Sequence, residues 1–202
     1  MKLYYAPGAC SLSPHIVALE AGIDLELEKV DLAAKKTESG KDYLQINPKG
    51  YVPAIDIGGG EVLTEGPAIV QYLADQKGSS TLAPPNGTLA RARLQEMLGY
   101  INSEIHKSYS PLFNPKTTPE VRQEKIEALQ KRYSLIEKQL DGKAFLFGGD
   151  FSVADAYLFT VTNWAKGVKL DLAAFPNLLA FQKRVAARPA VQAALKAEGL
   201  TK

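Results

Sequence analysis

Hydrophobic positions in the first third of the chain change period several times, and each change predicts an element. Leu3, Tyr4 and Tyr5 form a short apolar and aromatic run with strand character. Pro7-Gly8 breaks it. Leu12, Ile16, Leu19 and Ile23 then recur at helical spacing and predict a helix over 12–22. Ser11 or Ser13 is placed to cap it, and Pro14 suits its first turn. Leu25, Leu27 and Val30 alternate with polar residues, so 25–32 reads as a second strand. A strand–helix–strand unit brings its two strands together in parallel. Residues 33–50 are polar, with Ser39-Gly40 and Asn47-Pro48-Lys49-Gly50, and read as loop with room for one short helix. Residues 51–57 and 61–64 flank Gly58-Gly59-Gly60 and predict a hairpin. Glu65-Gly66-Pro67 opens the next helix, with Gly66 as cap, Pro67 at the first position and Ala68, Ile69, Tyr72 and Leu73 on its apolar face.

The order βαβ-ββα is that of a thioredoxin-like domain. Gly78 to Gly87 is rich in Gly, Ser and Pro and reads as a linker. Beyond it strand patterns stop, and helices are expected over 89–110, 118–140, 152–168, 176–186 and 189–197. The fold class expected is α/β plus all-α: a thioredoxin-like domain over 1–78, a linker over 79–87 and a helical bundle over 88–202. Ser152 and Asp155 stand in capping-box spacing, a structural motif with Asp in place of the commoner Glu.

Composition narrows the function. The chain has 202 residues, 46% of them hydrophobic and 23% charged, with a net charge of +2. That balance argues against a nucleic-acid or membrane-surface partner. No apolar run is long enough to span a bilayer, and the first residues lack a signal-peptide core, so a cytoplasmic protein is expected. A single cysteine excludes an internal disulfide framework, and one cysteine with two histidines makes no credible metal site.

Cys10 falls at the loop-to-helix junction, where backbone N–H groups and the helix dipole favour a thiolate with a lowered pKa. The alternative is a buried, inert cysteine. Val52-Pro53 stands where a loop becomes a strand, and marks a sheet edge that an extended peptide could join. Glu65 and the free N–H of Gly66 suit the amino and carboxylate ends of an amino-acid moiety, or simply an acidic residue favoured by a helix start. His106 gains a role only if it faces Cys10. His15 is assigned none. Tyr109, Phe113, Tyr157 and Trp164 form either core or an apolar pocket above Cys10.

Taken together, these residues resemble the cytosolic glutathione transferases, and among them the bacterial beta class. The resemblance rests on Pro7-Gly8-Ala9-Cys10-Ser11, on Asn47-Pro48-Lys49-Gly50 with Val52-Pro53, on Thr64-Glu65, on Tyr72-Leu73-Ala74-Asp75, on Glu104-Ile105-His106-Lys107 and on Phe151 to Phe159. It spans nearly the whole chain. It implies an enzyme that uses glutathione as co-substrate without a further cofactor, conjugating it to small hydrophobic electrophiles, and a homodimer. Cys10 and His106 would be catalytic. Ala9, Lys35, Val52, Pro53, Glu65, Gly66, Glu104 and Lys107 would hold glutathione: Lys35 at the glycyl carboxylate, Val52 through its backbone beside a cis Pro53, Glu65 and Gly66 at the γ-glutamyl end, and Glu104 from the other subunit. Tyr109, Phe113, Tyr157 and Trp164 would line the electrophile pocket. Gly66 and Gly99 depart from the Ser and Asn frequent in the class. Cys10 with Ser13 also permits thiol–disulfide exchange or peroxidase chemistry. The rival reading is a non-enzymatic scaffold of the same fold, as in proteins of the stringent starvation type.

Overall fold

A computed structural model describes residues 1–76 and 81–201. The N-terminal part runs β1 (Lys2–Tyr5), α1 (Leu12–Glu20), β2 (Glu26–Asp31), β3 (Lys36–Thr37), β4 (Ala54–Gly58), β5 (Glu61–Thr64) and α2 (Gly66–Gln76). The sheet order is β3-β2-β1-β4-β5. β1 pairs with β2 in parallel and with β4 in antiparallel sense, and β4 and β5 form the expected hairpin. The two-residue β3 was not foreseen: Lys36 and Thr37 carry no alternation to read, and pair only because β2 offers an edge. The short helix expected in 33–50 is a single 3₁₀ turn, Tyr43–Gln45.

Leu12 to Ala18 of α1 are all buried, because α2 flanks this helix on one side and helical elements of the C-terminal part cover the others. Neither serine caps it. Ser11 Oγ bonds back to the N–H and C=O of Ala6, and Ser13 Oγ donates to the Cys10 carbonyl. The α2 cap also differs from expectation. Gly66 is the first helical residue, and the carbonyl of Glu65 before it accepts the N–H groups of Ala68 and Ile69.

The C-terminal part is helical: α3 (Leu89–Tyr100), a π turn (Ile101–His106), α4 (Lys107–Phe113), α5 (Pro119–Gln139), α6 (Val153–Thr162), α7 (Trp164–Gly167), α8 (Pro176–Ala186) and α9 (Pro189–Ala197). The last two match the predicted bounds because a proline at the first helical position lacks only an N–H that would be unpaired anyway. The expected helix 152–168 breaks at Asn163 into α6 and α7. Every residue of α6 is buried, as befits a helix that other elements surround. Its start is held by Asp155, which accepts the Ser152 N–H and hydroxyl at 2.8 and 2.6 Å and the Leu146 N–H at 2.8 Å.

The expected boundary at 78–79 lies outside the described residues. On either side of it, buried Arg91 of α3 binds the carboxylate of Asp75, the Gln71 amide oxygen and the Pro84 carbonyl, and so ties α3 to α2. Among the described residues no helix is long and apolar enough to cross a membrane.

Candidate active site

A cavity of about 600 Å³ lies between the sheet unit and the helices. The sheet unit contributes the loop after β1 (Ala6 to Cys10), Val52-Pro53 before β4, and Glu65-Gly66 at the start of α2. The helical side contributes Asn102 and His106 from the π turn, Lys107, Ser110 and Phe113 from α4, Tyr157 from α6 and Trp164 from α7. The Val52-Pro53 peptide bond is cis.

Cys10 is half-buried, and its Sγ–H donates to the Val52 carbonyl at 3.2 Å. Burial pushes the thiol up to about 11, and the backbone N–H groups at the helix start offset this only in part. The lowered pKa expected from the helix terminus is therefore not found: loss of water outweighs the dipole. Resting Cys10 is a thiol, and the Val52 carbonyl is occupied rather than free.

The loop carrying Cys10 is gripped from the helical side. The Gly8 N–H donates to Glu198 Oε2 at 2.9 Å, and Trp164 Nε1–H donates to the Gly8 carbonyl at 2.8 Å. Gly8 has φ of 70°, which a side chain rarely tolerates. His15 is buried and bonds the other oxygen of Glu198 at 3.0 Å, so its role is structural.

Glu65 is one of few non-glycine residues at positive φ, 70°. Its carboxylate accepts Lys49 Nζ at 2.6 Å, and this ion pair lowers its pKa below the usual carboxylate range. His106 is neutral: burial pushes it down to about 4, with Lys107 adding to the effect. Its ring meets Trp164 edge-on at 4.9 Å, and its Nδ1 lies 2.6 Å from the Tyr157 hydroxyl.

Residues 1–75 match the glutathione S-transferase N-terminal domain family and residues 100–189 the C-terminal domain family. The chain is 46% identical over 200 residues to glutathione S-transferase GstA of Escherichia coli O157:H7, covering 99% of this chain and 100% of that one. It belongs to the glutathione S-transferases. The fold is also that of the beta-class transferase of Sphingomonas chungbukensis (48% identity, TM-score 0.95, all of both chains). A sphingomonad transferase solved in complex with glutathione stands equally near (49% identity, TM-score 0.95, all of both chains). The chain is thus a bacterial beta-class glutathione S-transferase, an enzyme, and the scaffold reading falls.

In this transferase Ala9, Cys10, Val52, Pro53, Glu65, Gly66, His106, Lys107, Phe113, Tyr157 and Trp164 meet around this cavity. Three expected residues do not line it. Tyr109 is fully buried behind Trp164, its hydroxyl 2.9 Å from that of Tyr133, so it belongs to the core. Lys35 Nζ donates to the Gly50 carbonyl at 2.6 Å. Glu104 pairs with Arg132 of its own chain at 2.9 Å. Sequence reasoning missed Asn102, Tyr51, Ser110 and Lys49. Asn102 stands four residues before His106, a spacing that shares a helix face. Lys49 was read as part of a turn and of the Asn47-Pro48-Lys49-Gly50 motif, with no role at the site. A Cβ added at Gly66 would meet Pro53 Cγ at 3.8 Å, an ordinary contact, so the site has room for the serine frequent in the class.

Proposed function

We propose that this transferase binds glutathione along Val52 and uses His106 and Cys10 to make its thiolate, which attacks a small hydrophobic electrophile held by Phe113 and Trp164. The observation that carries this reading is that Cys10 and His106 stand in the walls of one cavity, from opposite units. A neutral imidazole is a ready acceptor for the glutathione S–H proton. The thiolate then gives its electron pair to the electrophilic carbon, and the leaving group departs with the pair it held. Cys10, a thiol at neutral pH, donates its S–H to the developing sulfur anion once glutathione occupies the Val52 carbonyl. Glu65 takes the γ-glutamyl amino group in place of Lys49. Lys107, exposed beside the cavity, adds positive charge.

A homodimer belongs to the same reading. Tyr51, 48% exposed at the cavity rim, and the half-buried Glu104 suit a second subunit. Sedimentation at twice the chain mass is expected.

Initial rates of glutathione conjugation to an aryl halide test the mechanism. His106→Ala is expected to lose about a hundredfold in kcat, and Cys10→Ala about tenfold. If Cys10→Ala matches wild type, Cys10 lies outside conjugation. Thiol–disulfide exchange through a Cys10–glutathione mixed disulfide is the second reading, favoured by the sulfur's place on the cavity wall. It is disfavoured by a thiolate fraction on the order of one in ten thousand at pH 7.

A further inference from the structure

We infer that Asn102, acting through the Tyr157 hydroxyl, holds His106 as its Nδ1–H tautomer and so presents a bare Nε2 to the glutathione thiol. The inference rests on the proposed role of His106 as proton acceptor and adds two positioning residues to it. The Tyr157 hydroxyl has two neighbours, His106 Nδ1 at 2.6 Å and the Asn102 carbonyl oxygen at 2.9 Å. It has one proton to give. A carbonyl oxygen only accepts, so the proton goes to Asn102. The phenol oxygen is then left to accept, and what it accepts is the proton on Nδ1. A neutral imidazole carries a single N–H, so Nε2 keeps its lone pair.

Each link is fixed by its surroundings. Tyr157 is 1% exposed and comes from the wholly buried α6, so its oxygen cannot wander. Burial keeps it a phenol far above neutral pH, so its proton is always present. Asn102 and His106 share one π turn, the irregular segment of a helical run that is otherwise α from Leu89 to Phe113. Such turns often mark functional positions, and this one brings both partners to the same hydroxyl. Trp164 packs edge-on against the ring at 4.9 Å. Nε2 has no hydrogen-bond partner among the described residues. Nor is it sealed off, since the only side-chain nitrogen or oxygen there both buried and unpartnered is Gln182 Oε1. A lone pair kept in this way has the cavity to act on.

The chain's two histidines make the test direct. Long-range ¹H–¹⁵N correlation on the ligand-free protein should show His106 with Nδ1 protonated and Nε2 bare. Asn102→Ala and Tyr157→Phe should mix the tautomers and lower kcat about tenfold, with KM for glutathione within about twofold of wild type. Asn102→Asp keeps an accepting oxygen and should retain both the tautomer and most of kcat. A protonated Nε2 in wild type overturns the inference, and so does an Asn102→Asp enzyme that behaves like Asn102→Ala. If the tautomers shift as expected while kcat holds, the positioning stands and it is the role of His106 as proton acceptor that fails.

Discussion

At the scale of single residues, the cavity's two reactive groups are both held in their uncharged forms. Cys10 sits in too little water to ionise, and His106 in too little to protonate. Alkylation of ligand-free protein by iodoacetamide should therefore be slow at pH 7.5 and climb about tenfold per pH unit through pH 9. A plateau below pH 8 would contradict the raised thiol pKa. His106 links to stability with a definite sign. Its folded pKa, about 4, lies below the ordinary 6.5, so between those values the unfolded chain binds more protons. Stability is full above about pH 6.5 and falls as pH drops toward 4. Asp155 acts oppositely in part of this window, being raised to about 6 by burial. Comparison of wild type with His106→Asn in urea unfolding isolates the histidine. Wild type should lose about 3 kcal/mol relative to the variant between pH 6.5 and 4. Glu65→Gln should raise KM for glutathione about tenfold, through loss of a charged hydrogen bond. The sequence shows that Glu65 starts a helix, but not that Lys49 holds its carboxylate. That pairing spans a loop and a hairpin, and no local pattern encodes it.

At the scale of elements, α6 depends on one buried carboxylate. Three donors converge on Asp155, and removing it would strand the Leu146 and Ser152 N–H groups in a dry interior. Asp155→Ala should cost about 3 kcal/mol or more by urea unfolding, and Ser152→Ala about 1 kcal/mol. Legibility at this scale follows the source of each signal. Helices opened by proline or a capping box were readable because their starts are chemical. The π turn was not: its residues, Ile101 to His106, carry the same apolar spacing as an α-helix, and no local pattern marks the wider i→i+5 turn that lies against α5 and α6. Tyr109 shows the same limit. Period tells that it shares a face with Phe113, but only the arrival of Tyr133 from α5 decides that it points inward.

At the scale of the molecule, a cysteine loop on the sheet unit faces a histidine on the helical unit, and their separation is fixed by contacts between the units. Glu198 and Trp164 hold both sides of the Gly8 peptide, and Arg188 grips Glu20 of α1 through two hydrogen bonds of 2.6 and 2.8 Å. Glu198→Ala strands the Gly8 N–H and should lower stability by about 2 kcal/mol. It should also reduce kcat more than Arg188→Ala, which loosens the units without touching the loop.

The grip on Gly8 bears on how such chains can be recombined. A chimaera that joins the sheet unit of one relative to the helices of another inherits its loop from the first parent and the clamp from the second. Residues 8, 164 and 198 therefore form one unit of inheritance, scattered over the whole chain. Crossovers that separate mismatched versions of them would yield proteins that fold and still misplace their cysteine.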